Sequence, residues 1–368
     1  MRIYLVGGSV RDAFLGRPRQ DRDYVVLQTT EDEFKRCFPR AKRVGRDSPV
    51  FLLDGDEYTV SSAADITADL ETRDLTVNAL ARDVATGTLY AHPQAETDLQ
   101  RRVLRPVCAA NFRADPLRVY RAARFAACWP EWRVHSDLLA VMHEVGQAGL
   151  LSQPAAERVG GEVRRALQGV RPGRFLSLIV QTGCLGAWFA EWQGAEAIPA
   201  GPPAYHSGSV LAHTCRVVDE LAGSETAAWM GWCHDMGKAG TPAKLWPHHY
   251  RHEHRGEAMA WQQGQRLRLP KRLIRAGGIA ARWHMLAGRY DALRAGTQLD
   301  LVLRLHRAGL VEPFCELARA DGSPGLLPRM EADLTRVLAV SLPANKRGQG
   351  PASGEYLRQL QIRALRGG

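Results

Sequence analysis

Hydrophobic patterning changes character near Asp115, and this change limits the possible folds more than any other feature of the chain. Before it, IYLV (3–6) and DYVVL (23–27) have strand character, and SVRDAFLG (9–16) between them reads as a helix capped by Ser9. VFLLDG and DEYTV (50–60) form the pattern of a hairpin around Asp54-Gly55-Asp56. Beyond it the strand signals fade. DPLRVYRAARFAACW (115–129) and AERVGGEVRRALQGV (156–170) carry helical patterning with arginine-rich polar faces. The Gly/Pro-rich stretch GAEAIPAGPPAYHSGS (194–209) reads as a linker, and SLPANKRGQGPASG (341–354) as a loose segment before a last short helix. The expectation is an α/β head followed by mainly helical modules, with no internal repeat.

At 368 residues the chain can form two to four domains. No apolar run approaches the roughly 20 residues that cross a bilayer. MRIYLVGG runs directly into a strand, which leaves no room for a signal peptide. Seven scattered cysteines without a CxxC pair argue against a disulfide framework or zinc finger, so a reducing cytoplasm is expected. The formal charge of +10 describes either a solvated basic surface or one that meets a polyanion.

The stretch GGSVRDAFLGRPRQDRD (7–23) places a glycine pair, four arginines, and Asp21 and Asp23 close together. Side chains at i and i+2 of a strand share a face, so Asp21 and Asp23 leading into YVVL would project together. Paired carboxylates suit Mg²⁺, which bridges substrate phosphates and supports in-line phosphoryl displacement. Gly7 and Gly8, between strand and helix, let backbone N–H groups approach a triphosphate, and Arg11 adds a charge-assisted bond.

In this order the two motifs resemble the signature of class II tRNA nucleotidyltransferases and bacterial poly(A) polymerases. Thr72-Arg73-Asp74-Leu75-Thr76-Val77-Asn78-Ala79 resembles the family's RRDxTxNA motif, which implies nucleotide contacts for Arg73 and Asn78 and a loop-organising role for Asp74. Asp115-Pro116-Leu117-Arg118-Val119-Tyr120-Arg121 resembles its EDxxRxxR helix. On residues alone this segment reads first as a helix start with an Asp-Pro cap and solvated arginines. Carboxylates only accept hydrogen bonds and guanidinium groups only donate them, so an Asp/Arg pair can select cytosine and adenine without a template. The resemblance gives that role to Asp115 and Arg118, and places Arg121 at the phosphates or base edge. Glu157-Arg158 also matches a family helix, where a structural cap is the simpler reading.

After the linker come His213, His234-Asp235 followed by Met-Gly-Lys, His252, His284 and Asp321. This H…HD…H…H…D order resembles the HD phosphohydrolase domain, in which imidazoles and aspartates hold divalent metal and activate water. His248, His249 and His254 crowd the same stretch, whereas His92 and His306 read as structural. Head and HD domain together resemble the multifunctional CCA proteins of some bacteria. That resemblance implies an α+β chain with a polymerase-beta-like nucleotidyltransferase head and small β-sheet (1–105). A helical nucleotide-recognition neck and tRNA-binding region (106–193), a linker (194–209), a helical HD domain (210–330) and a tail (331–368) would follow. It further implies Mg²⁺ in the head and a divalent transition metal in the HD domain, nickel being associated with part of that activity. Expected partners are tRNA, CTP and ATP, with no membrane, in a monomer or homodimer. The implied activities are CCA addition at the tRNA 3' end, and 2',3'-cyclic phosphodiesterase, 2'-nucleotidase and phosphatase action.

This chain departs from the family pattern between Ser61 and Arg73, where a longer basic, Gly- and aromatic-rich loop is usual. Its loss marks enzymes that add only CC, so a CC-adding enzyme is the alternative reading. Thr72, Ala114 and His92-Pro93 are smaller departures. A poly(A) polymerase shares the head but usually lacks an HD domain; a non-catalytic RNA-binding protein would not need Asp21 and Asp23.

Overall fold

The computed structural model describes residues 1–17, 22–45, 49–203 and 207–367. The chain divides into two units: Met1–Pro154 with Thr182–Cys184, and Ala155–Gln181 with Leu185–Gly368. The first is mixed α and β, and the second contains only helices and short turns among its described residues.

The first unit is built on a seven-stranded sheet. Its strands are β1 (Arg2–Val6), β2 (Asp23–Leu27), β3 (Lys42–Val44), β4 (Val50–Leu53), β5 (Asp56–Val60), β6 (Leu80–Asp83) and β7 (Leu89–Ala91). Their order is β3-β4-β5-β2-β1-β6-β7. All neighbours are antiparallel except β2 and β5, which run parallel with Asp23 opposite Glu57. Alternation in β1 and β2 supplies both faces. Tyr4, Val6, Val25 and Leu27 join Ile66 and Leu70 in one core, and Val26 meets Phe34, Phe51 and Leu53 in the other. Asp54 and Gly55 both take positive φ, 53° and 93°, the geometry that lets a two-residue turn follow strand twist into the β4–β5 hairpin.

Ser9 is not the cap of the first helix. The helix spans Gly8–Phe14 and its N-cap is Gly7, at φ 64° and ψ −124°, with no side-chain cap bond. That backbone state is open to glycine and strained for other residues, so the local steric constraint outranks the capping preference of serine. The segment between Ser61 and Arg73 forms a short helix, Ile66–Glu71, capped by Asp65, and buries Ile66, Asp69 and Leu70. The expected helix after Asp115 runs from Leu117 to Cys128.

In the second unit, the helix Glu225–Cys233 buries every residue from Ala227 to Cys233, so it sits inside the bundle rather than on it. Helices Val210–Glu220, His252–Arg266, Lys271–Ala287 and Val311–Ala320 carry or adjoin the remaining HD-pattern residues. The segment 194–209 lies within this unit, where Ala195, Ile198 and Ala200 are buried and Pro199 bridges to Ser209. Residues 341–350 precede a helix of 16 residues, Pro351–Arg366, held to the helix Ala295–Ala308 by Arg358 and Asp300. Among the described residues no helix is long and apolar enough to cross a membrane.

Candidate active sites

In the head, the end of β1 turns at Gly7, whose N–H donates to Leu80 O at 2.9 Å and whose carbonyl accepts from Arg11 N–H at 3.0 Å. The turn is thereby fastened to β6. Asp23 opens β2, and the parallel register sets it beside Glu57 on the neighbouring strand. Paired residues of adjacent strands share a face and lie about 5 Å apart, so the two carboxylates form one acidic edge. That edge lines a cavity of about 660 Å³ whose other walls include Asp69, Arg73 and Arg118. Acidic and guanidinium groups thus line one space of nucleotide size. Asp21 lies outside the described residues.

A second set of groups is drawn together by Asp74. Its Oδ1 accepts from Leu75 N–H at 2.8 Å and Asn78 Nδ2 at 3.0 Å, and its Oδ2 accepts from Arg121 Nε at 2.8 Å. Burial alone would raise the Asp74 pKa, but Arg121 and these hydrogen bonds hold it at about 2. Asn78 Oδ1 in turn accepts from Arg11, which also bonds Asp12 and stacks on Trp129 at 4.5 Å. Arg11 is buried, and its desolvation lowers its pKa. Arg73 pairs with Asp69, and its backbone carbonyl accepts from Asn111 Nδ2. Arg118 donates to Thr72 O at 2.6 Å, while the Asp115 carboxylate accepts from Leu117 N–H at 3.2 Å. Asp115, one residue before the Pro116 N-cap, thus bonds the first residue of the helix, and Arg118 steadies the Thr72-Arg73 segment. His92 Nδ1 accepts from Gln94 N–H, a local structural bond.

In the second unit, the buried helix delivers His234 and Asp235 at its C-terminal end. Asp235 lies at the junction of two groups able to hold metal, His213–His234–Asp235 and Asp235–His252–His284. Its Oδ2 is 3.3 Å from both His213 Nε2 and His234 Nε2; its Oδ1 is 3.4 Å from both His252 Nε2 and His284 Nε2. Asp321 Oδ1 reaches His213 Nε2 at 3.1 Å. Every residue of the predicted H…HD…H…H…D set converges here.

The donor chemistry fits a cation. His234, His252 and His284 each turn Nδ1 toward a backbone carbonyl, of Gly231, His249 and Ala280 respectively, at 2.7–3.1 Å. A carbonyl only accepts, so Nδ1 carries the proton and Nε2 presents a lone pair to the cluster. Asp235 Oδ1 is buried without a hydrogen-bond donor, facing the lone pairs of His252 and His284. Converging lone pairs repel one another unless a positive charge lies between them. His213 differs, because Arg216 donates to its Nδ1 at 3.0 Å, and ligation through Nε2 requires that bond to open. Burial would raise the Asp235 pKa, but the Lys238 ammonium, at 2.7 Å, holds it well below the usual carboxylate range. Burial lowers the His284 pKa.

The sequence pattern did not single out Glu57, Asp69 or Lys238. Alternation in DEYTV puts Glu57 and Thr59 on one face, yet only the β2–β5 pairing brings Glu57 to Asp23. Lys238 belongs to the HDxGK run, and its buried ammonium bridges Asp235 and Ala200 O. His249 bonds Thr241 and Pro199 O, His254 is exposed beside Glu253, and neither joins the cluster.

Known proteins supply an independent comparison. No family model matches the chain. A multifunctional CCA protein of Nitrosococcus oceani is 36% identical over 404 residues, covering 100% of this chain and 98% of that protein. Another, from Xanthomonas campestris pv. campestris, is 34% identical over 406 residues, covering 99% and 98%. The solved structure of a Thermotoga maritima CCA-adding enzyme complexed with tRNA aligns with a TM-score of 0.67 and 19% identity, covering 100% of this chain and 88% of that one. This last likeness concerns the fold. On the near-complete coverage and identity of the first two, the chain belongs to the multifunctional CCA protein family.

Proposed function

We propose that this enzyme adds cytidine and adenosine from CTP and ATP to the 3' end of tRNA, and that its HD unit hydrolyses phosphoesters. The observation that carries the first part is the cavity whose lining brings Asp23 and Glu57 together with Arg73 and Arg118. Asp21 and Asp23, with Glu57 beside Asp23, would hold Mg²⁺, which offsets triphosphate charge and orients the displacement. Arg73 and Arg118 bind phosphate or base edge by charge-assisted donation, and Gly8, following the Gly7 turn, leaves the backbone free of side-chain bulk. Asn78, Asp74, Arg121 and Arg11 hold the adjoining segments in place. Asp115 pairs with Arg118 in base selection once nucleotide displaces the contact with Thr72.

In the HD unit, His213, His234, Asp235, His252, His284 and Asp321 would hold one or two divalent transition ions, with nickel the first candidate. Such ions polarise a phosphoester and activate water. Lys238 keeps Asp235 ionised and oriented.

A CC-only enzyme is the second reading, favoured by one observation. The segment from Ser61 to Arg73 forms a short packed helix instead of a long loop.

Incubation with tRNA lacking its 3' end, Mg²⁺, CTP and ATP, followed by sequencing of product ends, tests both readings. CCA ends support the first and CC ends the second, while poly(A) or no extension overturns both. D21A and D23A variants are each expected to lose incorporation more than about 100-fold.

A further inference from the structure

The cavity at the His/Asp cluster, about 340 Å³, is lined by more than candidate ligands. Tyr250 and Met285 are two of the large apolar side chains that the chain leaves exposed, at 67% and 50%, and both line this cavity. The His248 ring stacks against Tyr250, with centroids 5.8 Å apart and planes 17° from parallel. Arg251, also in the lining, holds a left-handed backbone, φ 56° and ψ 27°, which a non-glycine residue adopts at a steric penalty.

These features share one chemical implication. A metal cluster draws the phosphate of a ligand, whereas an exposed aromatic stack and a thioether gain by covering a flat apolar ring. A nucleotide carries both parts, and stacking on aromatic side chains tolerates any base. The volume lies at the small end of the roughly 300–1,000 Å³ range of small-molecule sites, which suits a single nucleotide. Arg251 adds a permanent cation with a planar fork for phosphate oxygens.

We propose that His248, Tyr250 and Met285 form a base-stacking subsite and Arg251 a phosphate contact, so that these four residues give the cavity a preference for a nucleotide over a base-free phosphoester. This rests on the phosphohydrolase reading of the HD unit.

The test compares 2',3'-cyclic AMP with methyl riboside 2,3-cyclic phosphate, using full-length protein loaded with nickel. The parent should prefer the nucleotide at least tenfold in kcat/KM, and Y250A should remove most of that preference through KM. R251G should raise KM for both substrates without lowering Tm, because glycine accepts the left-handed backbone. No preference in the parent, or an equal loss on both substrates in Y250A, overturns the subsite. An oligonucleotide ending in a cyclic phosphate, run beside the mononucleotide, shows whether an RNA terminus or a free nucleotide is the better ligand.

If the parent hydrolyses neither compound with nickel, cobalt or manganese, the phosphohydrolase reading fails. The subsite is then judged by calorimetric binding of 2'-AMP against methyl riboside 2-phosphate, with the head saturated by CTP and Mg²⁺. Tighter binding of 2'-AMP that Y250A weakens supports it, and equal affinities overturn it.

Discussion

Asp74 links Leu75 and Asn78 of its own motif to Arg121, which lies 47 positions further along the chain. A buried carboxylate with three donors is stable only while ionised. Its pKa of about 2 lies below the ordinary value of 3.8, so it binds fewer protons when folded than when unfolded. The resulting stabilisation is fully present above pH ~4 and disappears as the pH falls through ~2, and it amounts to about 2 kcal/mol. D74N should therefore lower the urea midpoint at pH 7, and the difference from the parent should shrink between pH 4 and pH 2. An unchanged midpoint at neutral pH would remove Asp74 from this role. The motif identified Arg73, Asp74 and Asn78 as important, but Arg11 shows what a motif omits. Its cationic side chain suggests a triphosphate contact, and the fold also holds it against Asn78 and Trp129. Whether a surface arginine or an internal one results depends on a packing partner 118 positions away in sequence.

Close approach between elements sets the geometry of the HD cluster. A Cβ on Gly237 would lie 2.0 Å from His252 O and 2.9 Å from Gly256 Cα. Only glycine allows the turn after Asp235 to seat against the start of the His252–Arg266 helix. G237A should push these two elements apart, lowering Tm and weakening metal binding at Asp235, His252 and His284 at least tenfold in a direct titration. Retained metal affinity would mean that the contact does not position the ligands. Local pattern made other elements readable. The Asp54-Gly55 turn and its flanking strands followed from turn chemistry, and β1 and β2 from their apolar runs. The first helix is capped by Gly7 and not by Ser9, because serine's capping preference is a local statistic and the turn is set by the pairing of Gly7 with β6.

At the scale of the whole molecule, the two candidate centres fall in separate units of the chain. H234A is accordingly expected to abolish phosphoester hydrolysis and leave cytidine addition within about twofold, measured on one preparation. Nickel should raise the Tm of the parent, since a ligand bound only to the folded state stabilises it, and this rise should be much smaller in H234A. Loss of both activities together would point to coupled centres or general unfolding. By itself the sequence determined the order of chemical groups: two aspartates after a glycine turn, then the nucleotide-motif residues, then the HD series. It also determined the change from mixed structure to helix, since both depend on nearest-neighbour spacing along the chain. Tertiary structure alone decided which distant groups meet. Parallel pairing brought Glu57 to Asp23, Asp74 joined Asn78 to Arg121, and Asp235 came to lie between two histidine pairs. Those encounters depend on strand register and on close contacts between helices, which act through space and leave no fixed interval in the sequence.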